Sequence, residues 1–300
     1  MDKWIKRGAM VVGSVALVAA AAAVAGKVLG ERKMARTLDI PVKPVAVFTD
    51  AAHIEHGRYL FSTRGCAECH GENGAGKVVI ADGEMLVVAP NLTGGAHSVT
   101  AAYKDEDWVR TLRHGVKPNG RPVLVMPSED YNRLTDEDVG SLISYVRSLP
   151  AVDGQATQIR FPLPATALYG FGAIRDAAEK IDHTLPPSEP VPVGVSVQHG
   201  AYVANACIGC HGATLSGGTI PGAPPNWPAA ANLTPGKGSA MIRYADPESF
   251  MAMMRTRKRP DGTPISPVMP FDSLARMTDT DMRALHAYLK TVPAREFGNR

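Results

Sequence analysis

A five-residue pattern, Cys-x-x-Cys-His, occurs twice in this 300-residue chain and constrains its fold more than any other feature. The copies are Cys66–His70 and Cys207–His211, each followed by glycine, and they use all four cysteines. Three further landmarks recur in the same order: Asn91–Thr93 and Asn232–Thr234, Met126–Pro127 and Met269–Pro270, and Thr135–Asp136 and Thr278–Asp279. The Cys, His and Asn positions repeat after 141 residues, and the Met and Pro positions after 143. Such a register indicates duplication of one domain.

The chemistry of the pattern is that of covalent c-type haem attachment. Two thiols three positions apart reach both vinyl groups of one porphyrin, and the adjacent imidazole becomes the proximal ligand of the iron. The alternatives are a redox dithiol or half of a zinc site. The flanks lack the βαβ pattern of a redox dithiol, and no fourth Cys or His recurs near both copies. The sequence therefore predicts two covalently bound haem c groups, held by Cys66, Cys69 and His70 and by Cys207, Cys210 and His211.

A sixth iron ligand is predicted at Met126 and Met269, two of twelve methionines. Each lies in a Pro/Gly-rich loop, and the proline that follows prevents a helix from starting at the ligand. His/Met ligation is typical of electron-carrying cytochromes. The iron ligands are thus predicted to be His70 with Met126, and His211 with Met269. The remaining methionines are interpreted mainly as flexible core residues. His97 and His114 are rival ligands in the first half, but His114 has no histidine counterpart near Thr256 in the second.

The amino end carries Lys3, Lys6 and Arg7, followed by an uncharged, apolar run from Gly8 to Gly26. This pattern is that of a membrane anchor or of a secretory signal peptide, for which the small residues at 23–25 would supply the cleavage site. The length of the run favours the anchor. Either interpretation exports the rest of the chain, so we expect the body to face the periplasm, as c-type haem attachment requires.

Helix start signals and the scarcity of alternating patterns predict an all-α body with long loops. Thr135 and Thr278 are predicted N-caps of the terminal helices, and acidic residues open a middle helix at Asp105 and another near Pro247. The predicted division is 1–30 anchor or signal, 31–52 tether, 53–150 first domain, 151–190 linker, 191–293 second domain and 294–300 tail. Within the linker, Ala165–Ile181 is a candidate for one helix, weakened by Gly170 and Gly172.

These motifs resemble two class I cytochrome c domains in tandem, and with the apolar run they are similar to membrane-anchored cytochrome c subunits. The resemblance extends to the cytochrome c subunits of periplasmic alcohol and gluconate dehydrogenases and to the dihaem subunit of cbb3-type oxidases. It implies an all-α fold of two such domains with an N-terminal transmembrane helix. It further implies low-spin haem that passes single electrons between a dehydrogenase or quinol-oxidising complex and a terminal oxidase in a respiratory chain.

Charge separates the two halves, although the whole chain is nearly balanced at +3 and gives no indication of nucleic-acid binding. Residues 53–150 carry a net charge of −3, and residues 191–293 carry +3. The basic excess is concentrated at Arg255, Arg257, Lys258 and Arg259. Such a run is either a solvated face or a docking surface for an acidic redox partner.

Three functions are compatible with this pattern. The first is an electron carrier with no catalytic residues and no small-molecule substrate. The second is an electron-transfer subunit that works only inside a dehydrogenase or oxidase complex. The third is a dihaem peroxidase with an open site on one iron, which the shared Met-Pro pair disfavours.

Overall fold

The computed structural model describes residues 3–224 and 226–300, with the side chains of residues 5 and 6 left aside, and is mostly helical. The α-helices of this part are α1 Lys3–Ala35, α2 Ala51–Thr63, α3 Cys66–His70, α4 Asp105–His114, α5 Asp136–Ser148, α6 Leu163–Gly170, α7 Ala177–Lys180, α8 Val197–Ala204, α9 Ile208–His211, α10 Pro247–Thr256, α11 Phe271–Leu274 and α12 Asp279–Leu289. Short 3-10 turns lie at Ser128–Asp130, Asn205–Cys207 and Met241–Arg243. The predicted all-α character is confirmed.

Side-chain caps explain where the terminal helices of the two halves begin. The hydroxyl of Thr135 accepts from the Asp138 amide at the start of α5, and Thr278 accepts from the Asp281 amide at the start of α12. Asp246 caps α10 in the same way and is followed by Pro247 at the first helical position. These contacts satisfy amide groups that have no partner inside the helix.

Each half is built around a crossing of its first and last helices, α2 with α5 and α8 with α12. A glycine lies at each crossing, because a Cβ on Gly57 would lie 2.8 Å from the Tyr145 Cβ, and one on Gly200 would lie 2.7 Å from the Tyr288 Cβ. A larger residue would push the helices apart. The recurrent His-Gly-x-Tyr sequence of α2 and α8 therefore has a packing role.

Two separate hydrophobic cores form, one in each half. The first includes Leu60, Trp108 and Ile143, and the second includes Val203, Phe250 and Met254. Met253, Met277 and Met282 are also buried in the second core, so methionine fills space there.

A small antiparallel sheet adds to the helical fold of the first half. Strand β1, Val78–Asp82, and strand β2, Met85–Val88, form a hairpin, and strand β3, Gln158–Arg160, pairs with β2. The centre of β2 lies opposite β3, with Val87 opposite Ile159. Since β3 belongs to the predicted linker, this sheet attaches the linker to the first half.

The linker contains two short helices instead of the single candidate helix over 165–181. Helix α6 ends at Gly170, and Gly172 takes a left-handed conformation with φ of 81° that breaks the helical path. Asp176 then caps α7 by accepting from the Glu179 amide. The glycines that weaken the helical pattern thus end the first helix, and a new cap starts the second.

The segment after α1 lies on the first half. The Leu38 amide donates to the Gly120 carbonyl at 2.8 Å, and the Phe48 amide donates to the Ser144 hydroxyl at 2.8 Å. Val45 is buried in the first core. The predicted tether is therefore fixed to the first half along much of its length.

Helix α1 is long and apolar enough over Arg7–Ala35 to cross a membrane, by length and composition, and none of its apolar window is buried. Its 33 residues give a length of about 50 Å, whereas a bilayer core is about 30 Å thick. The last nine residues of the helix, 27–35, extend beyond the apolar run that ends at Gly26. A signal peptide and an anchor both meet this description.

Candidate haem sites

The cysteine motifs form short helical turns that expose no thiolate. Helix α3 follows Gly65, whose φ is 81°, and all four cysteines are free thiols. Burial raises the pKa of Cys66 and that of Cys207 to about 12. A reactive dithiol needs a lowered thiol pKa, so this environment disfavours a redox dithiol and suits thiols that become thioethers.

Both motif histidines are oriented by a backbone carbonyl. The His70 Nδ1 lies 3.0 Å from the Pro90 oxygen, and the His211 Nδ1 lies 2.8 Å from the Ala231 oxygen. A carbonyl only accepts, so Nδ1 carries the proton in each ring and Nε2 keeps its lone pair. This is the tautomer that an axial iron ligand needs, with the second nitrogen held by an outer hydrogen bond.

Burial also keeps these rings neutral. It lowers the pKa of His70 and of His211, against smaller opposing contributions from their carbonyl partners. Because only a neutral imidazole binds a metal, the site favours the ligating form at neutral pH.

The two Met-Pro pairs adopt the same backbone turn. Pro127 has φ −81° and ψ 67°, and Pro270 has φ −77° and ψ 64°. The Met126 carbonyl accepts from the Ser128 amide at 2.9 Å, and the Met269 carbonyl accepts from the Phe271 amide at 2.8 Å. Both are inverse γ-turns with proline at the centre, where its fixed φ matches the turn. The turn therefore sets the direction of each methionine in the same way.

Each half packs its own set of predicted site residues on one core. Cys66 and Met126 lie against the first core, and Cys207 and Met269 lie against the second. Ligation by the methionines stays a prediction, but the shared turn separates them from the methionines that fill space in the second core.

A buried indole in the first half fits a polar edge of a prosthetic group. The Trp108 Nε1 is buried and has no hydrogen-bond partner among the described residues. An orphaned buried donor is costly unless another acceptor reaches it, and a haem carries carboxylate groups that accept. Together with the free thiols and the oriented imidazoles, this donor shows that the site residues fit a covalently bound haem.

The Asn-Leu-Thr repeat forms a brace behind each motif, a role that its local sequence does not reveal. The Asn91 amide nitrogen donates to the Val152 carbonyl at 2.7 Å, and its oxygen accepts from the Thr93 amide at 2.8 Å. Asn232 makes the matching bonds to Arg295, at 2.8 Å, and to Thr234, at 2.8 Å. Each brace joins the loop that carries the carbonyl partner of the histidine to the segment after the terminal helix.

The rival histidine has another partner. The His114 Nδ1 lies 3.0 Å from the Nδ1 of His183 in the linker. Burial, the neighbouring imidazole and nearby arginines lower the pKa of His114 to about 4. His97 lies in a surface loop with φ of 62°.

The halves meet in a reciprocal pair of hydrogen-bonded clusters. In one cluster, His56 and Tyr202 both bond to Asp138, at the start of α5. In the other, His199 and Tyr59 both bond to Asp281, at the start of α12. Each tyrosine crosses to the other half and also accepts from a capping-residue amide, Thr135 or Thr278. The contact is therefore pseudo-symmetric, as between two copies related by a two-fold axis.

The same interface joins each methionine loop to the opposite cysteine motif. The Asp130 Oδ1, four residues after Met126, accepts from the Gly209 amide at 3.0 Å. In the reverse direction, the Ser273 amide, four residues after Met269, donates to the Glu68 Oε1 at 3.0 Å. A Cβ on Gly209 would lie 2.6 Å from the Asp130 oxygen, so a larger residue there would displace the Asp130 carboxylate. The two candidate sites thus share one interface.

The comparison with known families agrees with this arrangement. The family model for cytochrome c matches residues 54–150 and 198–293. The two matches follow the two halves and cover most of the chain outside α1 and the linker. The chain therefore belongs to the cytochrome c family.

Individual relatives indicate which kinds of cytochrome c the chain is similar to. The chain is 28% identical over 284 residues to the fructose dehydrogenase cytochrome subunit of Gluconobacter japonicus, covering 85% of this chain and 56% of that protein. It is 25% identical over 272 residues to a diheme cytochrome c-type protein of Cereibacter sphaeroides, covering 80% and 86%. A 101-residue stretch is 34% identical to the cbb3-type cytochrome c oxidase subunit CcoP of Helicobacter pylori, covering 33% and 29%.

These relatives define a dihaem c-type cytochrome, an electron carrier homologous to cytochrome subunits of oxidoreductase complexes. The chain spans less than two thirds of the length of the dehydrogenase subunits it matches, with 56%, 62% and 60% for three of them.

Proposed function

We propose that this cytochrome carries single electrons in a periplasmic respiratory chain, from a dehydrogenase or quinol-oxidising complex to a terminal oxidase, while α1 anchors it in the inner membrane. A haem c iron with two strong axial ligands supplies one-electron transfer when bound. The residues of this chain hold and orient the cofactor. Cys66, Cys69, Cys207 and Cys210 attach the two groups, and the ligand pairs are His70 with Met126 and His211 with Met269.

The observation that carries this proposal is the identical arrangement of the two halves. Both hold Nδ1 of the motif histidine on a carbonyl, and both place the methionine on the same proline-centred turn. A peroxidase needs one open axial position, and this shared arrangement provides for none. We therefore expect both irons to be closed to small ligands.

Carbon monoxide binding tests the ligand assignment. The reduced full-length holoprotein should show no spectral change with carbon monoxide, because both sixth positions are filled. Replacing Met126 with Ala should open one site, so that half of the haem binds carbon monoxide, and Met269→Ala should open the other. Met85→Ala is the matched control, since Met85 lies on β2 outside the loops. Carbon monoxide binding by the unmodified protein would overturn the carrier assignment in favour of an enzyme.

A subunit role within a larger complex is the second candidate, because the matched relatives are named as dehydrogenase and oxidase subunits. Purification from membranes under mild detergent distinguishes the two. Co-purification of a dehydrogenase or oxidase in fixed proportion supports the subunit, whereas isolation as a lone monomer that still exchanges electrons with an added oxidase supports the free carrier.

Docking of a redox partner is proposed at the basic run of the second half. Its arginines are partly neutralised, since Arg255 pairs with Asp279 at 2.5 Å and Arg257 pairs with Asp272. Lys258 is exposed and makes no ion pair among the described residues. Surface charge of this kind steers an acidic partner and depends on salt.

A further inference from the structure

The linker helix α6 packs directly on the end of α1. Gly26 and Gly30, one helical turn apart, face it, and both are buried. A Cβ on Gly26 would lie 2.6 Å from the Ala167 Cβ, and a Cβ on Gly170 would lie 2.6 Å from the Gly30 nitrogen. The two backbones are thus in van der Waals contact, which only small residues allow.

Ion pairs fix this contact on the side away from the apolar run. The Arg36 guanidinium lies 2.8 Å from a carboxylate oxygen of Asp176, and the Lys33 ammonium lies 2.8 Å from that of Glu179. The Asp176 side chain is fully buried and also accepts from the Tyr169 hydroxyl. Because close glycine packing holds one part of this contact and ion pairs hold the other, the position of α6 relative to the apolar run is fixed.

Bulky apolar side chains at the carboxyl end of α6 are exposed. Leu168 is 47% exposed and Phe171, directly after the helix, is 56% exposed. The Phe171 ring lies beside Gly26, where an added Cβ would be 2.7 Å from its Cε2. Gly26 is the last residue of the uncharged run, so Phe171 lies at the level where that run ends.

The surrounding sequence carries no charge. From Phe161 to Ile174 there is no Asp, Glu, Lys or Arg, and the stretch is bounded by Arg160 and Arg175, both exposed. An aromatic side chain at the end of an apolar span, with arginines on either side, is the arrangement that favours the boundary between headgroups and acyl chains. Arginine stems cover apolar surface while their heads stay in water or bind phosphate.

We propose that α6 and Phe171 form a second membrane contact, in which this stretch lies in the headgroup boundary of the bilayer that α1 spans. The occupant of the exposed apolar face is phospholipid, because Phe171 lies beside Gly26, the last residue of the uncharged apolar run of α1. This inference rests on the proposed anchor role of α1. Its consequence is that the linker holds both cytochrome domains at the membrane surface in one orientation.

The test is photo-crosslinking from single positions of the full-length holoprotein in vesicles of phosphatidylethanolamine and phosphatidylglycerol. A benzoylphenylalanine replaces Phe171 in one variant and Phe297 in a matched control. Phe297 is 53% exposed but lies in the segment that packs on the second half. A third variant carries the probe at Val15, which is 64% exposed within the apolar run and reports on the anchor. The absorbance of both haems confirms folding of each variant.

We expect lipid adducts at positions 15 and 171 and none above background at 297. Lipid adducts at 15 but not at 171 overturn the second membrane contact and leave the anchor standing. Adducts at 171 but not at 15 overturn the anchor and support α6 as a membrane contact in its own right. Adducts at 171 to a second copy of the chain instead of to lipid would also overturn the inference.

Discussion

Trp108 in the first half is replaced by Phe250 at the equivalent place in the second, and Asp130 is replaced by Ser273. The contacts that orient the histidines and methionines are the same in both halves, whereas these differences lie in the hydrophobic cores and at the interface. His56 is 39% exposed in its cluster, and His199 is only 6% exposed in the matching one. Duplication has therefore kept the contacts that orient each motif histidine and the turn at each Met-Pro pair, while core and interface residues have changed.

The contacts across the interface between the halves also keep their geometry while their residues differ. Asp130, in the first methionine loop, accepts from the Gly209 amide of the second motif. In the reverse contact, Glu68 of the first motif accepts from the Ser273 amide, which follows the second methionine loop. The geometry is preserved while the donor and acceptor sides are exchanged. Each motif therefore meets one acidic side chain, which the opposite methionine loop supplies at the second motif and the motif itself supplies at the first.

The largest effect should follow from removing one attachment site at a time. Replacing both Cys66 and Cys69 with Ala should leave one haem per chain and destabilise the first half, because the cofactor fills part of its interior. Replacing Cys207 and Cys210 should do the same in the second half. Intact mass and haem absorbance per chain measure the outcome. Retention of two haems by either variant would contradict the assignment of the motifs.

Asp130→Ala should destabilise the protein more than Ser273→Ala at the equivalent position. The first removes the acceptor for the Gly209 amide and leaves a donor unsatisfied, at a cost of about 1–3 kcal/mol. The second keeps the Ser273 amide that donates to Glu68, so we expect a change within about 0.5 kcal/mol. Free energies of unfolding in urea measure both. Equal losses of unfolding free energy in the two variants would contradict an energetic difference between the two contacts.

The His56 cluster should make stability depend on pH. The hydrogen bond to Asp138 raises the pKa of His56 above 6.5. Although burial opposes it, the bonds from His56 and Tyr202 lower the pKa of Asp138 below 3.8. The stabilisation from His56 is thus complete below pH 6.5 and is lost as the pH rises through the raised pKa of His56. At the acid end, the stabilisation from Asp138 is lost only as the pH falls below 3.8.

Thermal unfolding across pH tests this cluster. His56→Gln should flatten the fall in melting temperature above pH 6.5. Tyr202→Phe removes a hydrogen bond to the same carboxylate from a group that does not titrate in this range. It should lower the free energy of unfolding by about 1 kcal/mol, and the melting temperature by a similar amount at every pH in that range. The same slope in both variants would remove His56 as the source.

The smallest effect is expected at the docking surface. Lys258→Glu should slow electron transfer to an acidic partner a few-fold at low salt, and the difference should vanish at high salt. Arg121→Glu, at an exposed position in the corresponding loop of the acidic half, is the matched control and should change the rate less. Stopped-flow rates over a range of ionic strength measure both. Equal effects would place docking elsewhere.

The sequence predicts those features that depend on contacts between residues close together in the chain, such as helix caps. The caps Thr135 and Thr278 and the start of α10 at Pro247 follow from side-chain capping and from proline at the first helical position. The repeat identified Met126 and Met269, and the structure adds the γ-turn that they share.

Long-range contacts were not predictable in this way. Strand β3 has only three residues and is defined by its pairing with β2, so its own sequence carries little signal. Tyr59 and Tyr202 occupy the same place in the recurrent His-Gly-x-Tyr sequence, but nothing local shows that each hydroxyl crosses to the other half. The packing of α6 on Gly26 and Gly30 likewise joins segments 140 positions apart, as the link from Arg36 to Asp176 shows.

A spectroelectrochemical titration of the full-length holoprotein tests most directly the claim that one duplicated module holds two non-equivalent haems. The account predicts two one-electron transitions with separate midpoint potentials. Asp130→Ala should shift them unequally, and Ser273→Ala should leave both close to their original values. A single transition with one midpoint, unchanged by either substitution, would contradict it.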